Sequence, residues 1–197
     1  MTYVELIVVL SIFSLMTAVV LFNYGAFQGK VDIKNLASDI ALQIVEAQKS
    51  SISGKLPPPG QQALITNTEW KPTYGVYFSL VPNNKKFIYF VDINQDGTRD
   101  DVPCEGSFGE CLLRYDITKG NVISNLDVFY QDDTSTPLTE LAITFVRPNS
   151  GAIFTSLQID PLLPLLSPIS YAEITVASPK APSVKIKVYA SGRIQVN

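Results

Sequence analysis

The sequence predicts an α+β fold in which one long N-terminal helix packs on an antiparallel β-sheet. Residues 1–22 are apolar, small or hydroxylated, with one charged exception. Apolar residues then recur every three or four positions as far as residue 52, which is the period of a helix with one buried face. From residue 61 onward, short β-type runs alternate with turn residues. Strands that are grouped after a helix, rather than alternating with helices, are typical of the α+β class.

The first part of the predicted helix is an apolar rod, which we assign to residues 1–25. A helix from Met1 to Phe22 is about 33 Å long, enough to cross a bilayer core of about 30 Å. Glu5 carries the one charge in this run. Because a carboxylate at the centre of a membrane costs at least ~2.5 kcal/mol, we expect it to have a partner. The candidates are the amine of Met1 and the amine of a neighbouring helix. The alternative is a carboxylate without a partner near the bilayer interface.

The second part of the helix, residues 26–54, is expected to be amphipathic. The apolar positions that define its buried face are Ile33, Leu36, Ile40, Ile44 and Ala47. The helix is expected to end at Ser53-Gly54, because the prolines at 57–59 cannot continue it. Gly25 and Gly29 lie where the two parts meet, and glycine there could loosen the helix.

Residues 55–197 form the predicted head domain, an antiparallel sheet. Strands are expected at residues 75–80, 86–91, 141–146, 152–154, 172–176, 184–189 and 193–196. Two turn sequences predict hairpins, Pro82-Asn83-Asn84 and Ser191-Gly192. The apolar, proline-rich segment 160–168 is either a contact surface or a cover for the open face of the sheet.

Composition excludes several classes of function. The chain has 197 residues, a net charge of -3 and no histidine. The commonest general base is therefore missing, and no nucleophile or phosphate-binding motif is present, so we expect no enzyme. The acidic balance gives no overall field that favours nucleic acid. A small basic cluster near the C-terminus could still bind DNA weakly, although a solvated sheet face is the alternative. It consists of Lys180, Lys185, Lys187 and Arg193.

The two cysteines, Cys104 and Cys111, lie close together in a polar loop. In a membrane-anchored chain with extracellular character, such a pair indicates a disulfide. Two free thiols in a cytosolic protein are the alternative. Since no second pair exists, a structural zinc site is not expected.

The same loop opens with oxygen-bearing residues at every second position, as in a calcium-binding loop. The candidate ligands are Asp92, Asn94, Asp96, the Thr98 carbonyl, Asp100 and Asp101. Gly97 is sixth, where such a loop bends, but Pro103 stands at the twelfth position instead of glutamate. The alternative is a turn in which Asp and Asn side chains bond their own backbone. Calcium is thus a possible bound ion, and no cofactor is required.

The N-terminus resembles that of a mature type IV pilin or type II secretion pseudopilin. Thr2, Glu5 and the apolar run around them carry this resemblance, and the segment from 36 to 52 is similar to the second half of the pilin spine helix. The tail from 184 to 196, and the strand that runs into Asp92, resemble the GspH/FimT-like group of this superfamily.

The resemblance implies a filament subunit. A prepilin peptidase would have removed a basic leader, Met1 would be the methylated first residue, and Glu5 would neutralise an N-terminal amine in the filament. The subunit would be anchored in the membrane and then assembled, by the pilus machinery, with copies of itself or other pilins into an extracellular fibre on a prokaryotic cell. A tip adhesin or DNA-uptake module is the alternative within the family. Lys30 and Lys34 alone would favour a cytoplasmic head, a conflict that a removed basic leader would resolve.

Overall fold

The computed structural model describes residues 2–99, 104, 109–160 and 167–197. The prediction of an α+β fold is confirmed at this level: one long helix is followed by antiparallel strands. In chain order the elements are α1 (Tyr3–Ile52), α2 (Pro59–Gln62), β1 (Thr73–Ser79), β2 (Lys86–Val91), β3 (Cys111–Asp116), β4 (Val122–Tyr130), β5 (Ser135–Leu138), β6 (Glu140–Val146), β7 (Ala152–Thr155), β8 (Ile169–Ser178), β9 (Ala181–Tyr189) and β10 (Ile194–Val196).

The helix α1 is continuous through Gly25 and Gly29, so the loosening that these glycines could have allowed is not found. Thr2 caps its first turn, and Ser53 caps its end. Gly54 follows with a φ of 69°, in the left-handed region that glycine adopts readily after a helix. The helix therefore ends where the sequence predicted.

The strands form two sheets rather than the single sheet that the sequence predicted. Sheet A has the order β3-β2-β1-β6-β7, and sheet B has the order β10-β9-β8-β4-β5. Both predicted hairpins are present, β1–β2 around Pro82 and β9–β10 around Gly192. Strands β3, β4 and β5 were not predicted from the sequence. In β4 a register shift between Ile123 and Asn125 interrupts the alternation on which strand recognition depends.

The second half of α1 packs against strands of both sheets and forms one core with them. Its buried apolar positions are Ile33, Ala37, Ile40, Ile44 and Ala47, which confirms the predicted face except that Leu36 is only half-buried. The core-facing residues of the sheets include Tyr74, Val76 and Phe78 of β1 and Ala172, Ile174 and Val176 of β8. Burial of this helical face is what joins the two sheets.

Ser51, in the last turn of α1, connects the helix to the middle of sheet A. Its hydroxyl donates a hydrogen bond to the carbonyl of Phe145 and accepts one from the backbone N–H of Tyr74 at 3.0 Å. Nearby, Gln48 donates its side-chain amide to the carbonyl of Ser150 at 2.8 Å. Polar contacts thus fix the register between the helix end and the sheets.

Candidate functional site

The first candidate site is the exposed N-terminal half of α1. The large apolar side chains of this half that remain exposed are Tyr3, Val4, Leu6, Ile7, Val8, Val9, Leu10, Ile12, Phe13, Leu15, Met16, Val19, Val20, Leu21, Tyr24 and Phe27. By length and composition, α1 could cross a membrane once. An apolar surface of this extent needs lipid or protein to cover it.

Two hydroxyl side chains of this rod are hydrogen-bonded within the helix. Ser11 donates its hydroxyl to the carbonyl of Val8, and Thr17 donates to that of Phe13, each at 2.8 Å. Such back-bonding removes the need for water, so these hydroxyls can enter an apolar environment at low cost. Such back-bonding does not neutralise the charge of Glu5.

Glu5 takes part in a capping box with Thr2 at the start of α1. The Glu5 backbone N–H donates to the Thr2 hydroxyl, and the Thr2 backbone N–H donates to the Glu5 carboxylate, both at 3.4 Å. The Thr-x-x-Glu spacing is a known helix-start signal that the sequence analysis did not use. Both bonds are long, and Glu5 is exposed, so its carboxylate remains open to a stronger partner. Met1, whose amine is the predicted partner, lies outside the described residues.

The second candidate site is the loop after β2, whose described residues, 92–99, 104, 109 and 110, lie along sheet A. The predicted disulfide is confirmed: Cys104 and Cys111 are bonded, with Cα atoms 5.1 Å apart. Cys104 packs with Ile88, Phe90 and Ala142 of that sheet, so the bridge holds the loop to the sheet.

Asp92, the first candidate calcium ligand, is 1% exposed, and both of its oxygens are already used. They accept hydrogen bonds from the backbone N–H groups of Gln95 at 2.6 Å and Gly97 at 2.9 Å. Burial raises the pKa of Asp92 to about 6, despite these hydrogen bonds. The arrangement around this carboxylate is that of a turn held by its own side chain.

The next two candidate ligands make similar local bonds. One oxygen of Asp96 accepts from the backbone N–H of Thr98 at 2.7 Å, and the other accepts from the side-chain amide of Asn94 at 2.9 Å. Among the described residues, no group of three or more His, Cys, Asp or Glu side chains could hold a metal ion. Asp100 and Asp101 lie outside those residues, so calcium binding stays a prediction.

Glu110, which was not predicted from the sequence, supports the start of this loop by hydrogen bonds to its backbone. It is 1% exposed, and its carboxylate accepts from the backbone N–H of Ile93 at 2.8 Å. A cleft of about 490 Å³ lies beside the loop, between Glu69, Lys71, Asp96 and the strands β6 and β7. The charges that line it are of both signs, and no nucleophile with a base stands among the residues that line it.

The third candidate is the C-terminal basic cluster, whose four cations do not lie together. Lys180 precedes β9, whereas Arg193 lies beyond its far end, with its guanidinium 3.9 Å from the centre of the Tyr189 ring. Lys185 and Lys187 lie 2.7 Å and 3.5 Å from the carboxylate of Glu173, which is 4% exposed. Two of the four cations thus share one carboxylate, which offsets one of their two charges, and DNA binding stays an untested prediction.

Comparisons with protein-family models, with curated proteins and with solved structures find no match for this chain.

The apolar, proline-rich segment 160–168 was the other predicted contact surface. It is described only at Asp160, Ser167 and Pro168, because residues 161–166 lie outside the described part.

Proposed function

We propose that this chain is a structural subunit of a type IV pilus-like filament, assembled through the apolar half of α1. The observation that carries the proposal is that one unbroken helix is buried in the head at one end, whereas at the other end its residues 2–21 expose apolar and hydroxylated side chains together with Glu5. Before assembly the exposed half is embedded in a membrane. After assembly the same surface packs against neighbouring helices, because lipid and a helix bundle are similarly apolar.

Within this proposal, Glu5 sets the axial position of each subunit. Among the described residues of the separate chain, the contact made by its carboxylate is the weak capping bond with Thr2. In a filament it pairs with an N-terminal amine, its own or a neighbour's, away from water. A buried pair of this kind fixes register, and removal of one partner costs about 3–5 kcal/mol. Processing by a prepilin peptidase and methylation of Met1 belong to the same proposal.

The test is the yield of sheared filaments from cells that express Glu5→Gln. Glutamine retains the capping function at this position but has no charge. The expected result is normal membrane insertion with greatly reduced filament yield. Thr2→Ala is the matched control, because it removes the cap and keeps the carboxylate, and we expect it to assemble. A wild-type yield from Glu5→Gln would refute the role of the charge.

A minor subunit that acts as a tip adhesin or binds DNA draws less support. The two lysines of β9 that would contact DNA phosphates are engaged with Glu173. A gel shift at low salt with the full chain separates the two roles, since binding through few cations disappears as salt rises.

A further inference from the structure

The rod leaves the head domain next to two turns that carry lysines. The β8–β9 turn packs directly on α1, so closely that a Cβ atom at Gly29 would lie 2.7 Å from the Cβ of Lys180. The β3–β4 turn lies beside it, and the ammonium group of Lys119 is 2.7 Å from the carboxylate of Asp32 on α1. These two contacts fix which end of the head faces the rod.

A third turn, between β1 and β2, belongs to the same end. The carbonyl of Asn84 accepts a hydrogen bond from the N–H of Ile123 at 3.0 Å, and the carbonyl of Lys85 accepts one from Ile117 at 2.7 Å. The turn that carries Lys85 is therefore fixed against the segment that carries Lys119.

Together with two lysines of α1 itself, these turns gather positive charge around the point where the rod emerges. We call this set the basal collar; it consists of Lys30, Lys34, Lys85, Lys86, Lys119 and Lys180. All are exposed except Lys86, which is half-exposed. They are six of only 15 cationic side chains in a chain of net charge -3, so the remainder of the molecule is more acidic than the total suggests.

The acidic groups at this end do not cancel the collar. Asp32 is paired with Lys119, whose hydrogen bond lowers the pKa of that carboxyl. Asp39 and Asp116 line the cleft between α1 and the β3–β4 turn, and Glu140 at the start of β6 accepts a hydrogen bond from a tyrosine. These carboxylates are fewer than the lysines, which leaves a positive surplus.

We propose that the basal collar binds the anionic phospholipid headgroups of the membrane in which the rod is embedded. This inference rests on the membrane-anchored state of the proposed function. The exposed helix from Tyr3 to Phe27 is about 37 Å long, between the ~30 Å hydrocarbon core and the ~40–45 Å total thickness of a bilayer. Full insertion therefore places the collar at the headgroup layer, within the ~8 Å over which exposed charges act at physiological salt.

The consequence is that the head of an unassembled subunit is held on the bilayer surface by charge as well as by its apolar anchor. Departure into a filament would require these lipid contacts to break, so anionic lipid content and ionic strength would affect the free pool of subunits.

The test uses the full chain reconstituted in phosphatidylcholine vesicles that contain spin-labelled phosphatidylglycerol or spin-labelled phosphatidylcholine. Spin resonance measures the fraction of each label that the protein immobilises. We expect the chain to prefer the anionic label by at least about five-fold at low salt, the ratio that one engaged lysine can give. The preference is expected to fall steadily as salt is added.

The decisive variant is Lys30→Gln/Lys34→Gln/Lys180→Gln, which retains the Cβ contact at Gly29 and should lose the preference. The control is Lys49→Gln/Lys55→Gln/Lys71→Gln, which removes the same charge from positions outside the collar and should retain it.

Each other outcome has one meaning. Flotation of the vesicles in a density gradient shows whether the chain is inserted. If the wild-type chain floats but shows no preference for the anionic label, or a preference that salt does not alter, the proposed lipid binding by the basal collar is wrong and the membrane-anchored state is retained. Equal loss in both triple variants also overturns the collar, because overall charge would then explain the selectivity. If the chain does not float with the vesicles, both the proposed lipid binding by the collar and the proposed membrane-anchored state are refuted.

Discussion

Two glycines in α1, four residues apart, offer a sensitive test of how the rod joins the head. At Gly25 an added Cβ would meet no atom within 4 Å, whereas at Gly29 it would lie 2.7 Å from the Cβ of Lys180 and 2.9 Å from its carbonyl oxygen. The perturbation is Gly29→Ala, with Gly25→Ala as its matched control.

The expected magnitudes follow from two effects. Alanine favours the helix over glycine by up to about 1 kcal/mol at either position. At Gly29 the new methyl group would approach its neighbours about 1 Å closer than normal carbon contacts allow, and such overpacking typically costs about 1–3 kcal/mol. We therefore expect Gly25→Ala to be neutral or stabilising by up to about 1 kcal/mol. Gly29→Ala should lie below it in stability by about 1–3 kcal/mol.

The assay is urea unfolding of the full chain in detergent micelles, followed by the fluorescence of Trp70. This is the one tryptophan of the sequence, and its indole N–H donates to the carbonyl of Asp92 at 3.1 Å, so its emission reports on the folded head. If the two variants shift the unfolding midpoint equally, the β8–β9 turn does not pack on α1 in solution, and the placement of the basal collar loses its basis.

Four further predictions use the same preparation. Burial raises the folded-state pKa of Asp92 to about 6, so the folded state holds the carboxyl proton more tightly than the unfolded state does. The chain should therefore lose about 2–3 kcal/mol of stability as the pH rises from about 4 to about 6. Asp92→Asn should reduce that loss in urea titrations, and an unchanged pH profile would contradict the reasoning. Ser51→Ala removes the hydroxyl that bonds the Phe145 carbonyl and the Tyr74 N–H, and it should cost about 1–3 kcal/mol of stability. A change below about 0.5 kcal/mol would contradict a stabilising role for this hydroxyl. Cys104→Ser/Cys111→Ser should lower stability by about 2–3 kcal/mol through the freed loop, as read from the unfolding midpoint; no change would mean that the bridge restrains little. If the acidic loop after β2 is a calcium site, calorimetric titration should release heat at millimolar calcium. A titration without heat would show that the loop does not bind calcium.

The helix and its two parts could be predicted because periodicity is a local signal. The period of Ile33, Ile40 and Ile44 depends only on which face of α1 is buried, and the structure confirms it. The end at Ser53 was equally predictable, since the glycine and prolines that follow act on the backbone within a few residues.

The division of the strands into two sheets could not be predicted, because it depends on contacts between distant segments. Nothing near β4 in the sequence indicates that it pairs with β8, some fifty residues later, rather than with β3. The same is true of the buried acids. Glu110 and Glu173 resemble surface residues in the sequence, and only the fold brings backbone N–H groups to the first and two lysines to the second.

The continuity of α1 has a mechanical consequence. In a fibre under tension, a pull on the outer part of this helix would pass along an unbroken rod into strands of both sheets at once. The load would act in shear, parallel to the helix axis, and would be shared by many side chains instead of unzipping them one after another. A head built in this way should withstand stretching better than its equilibrium stability alone would indicate.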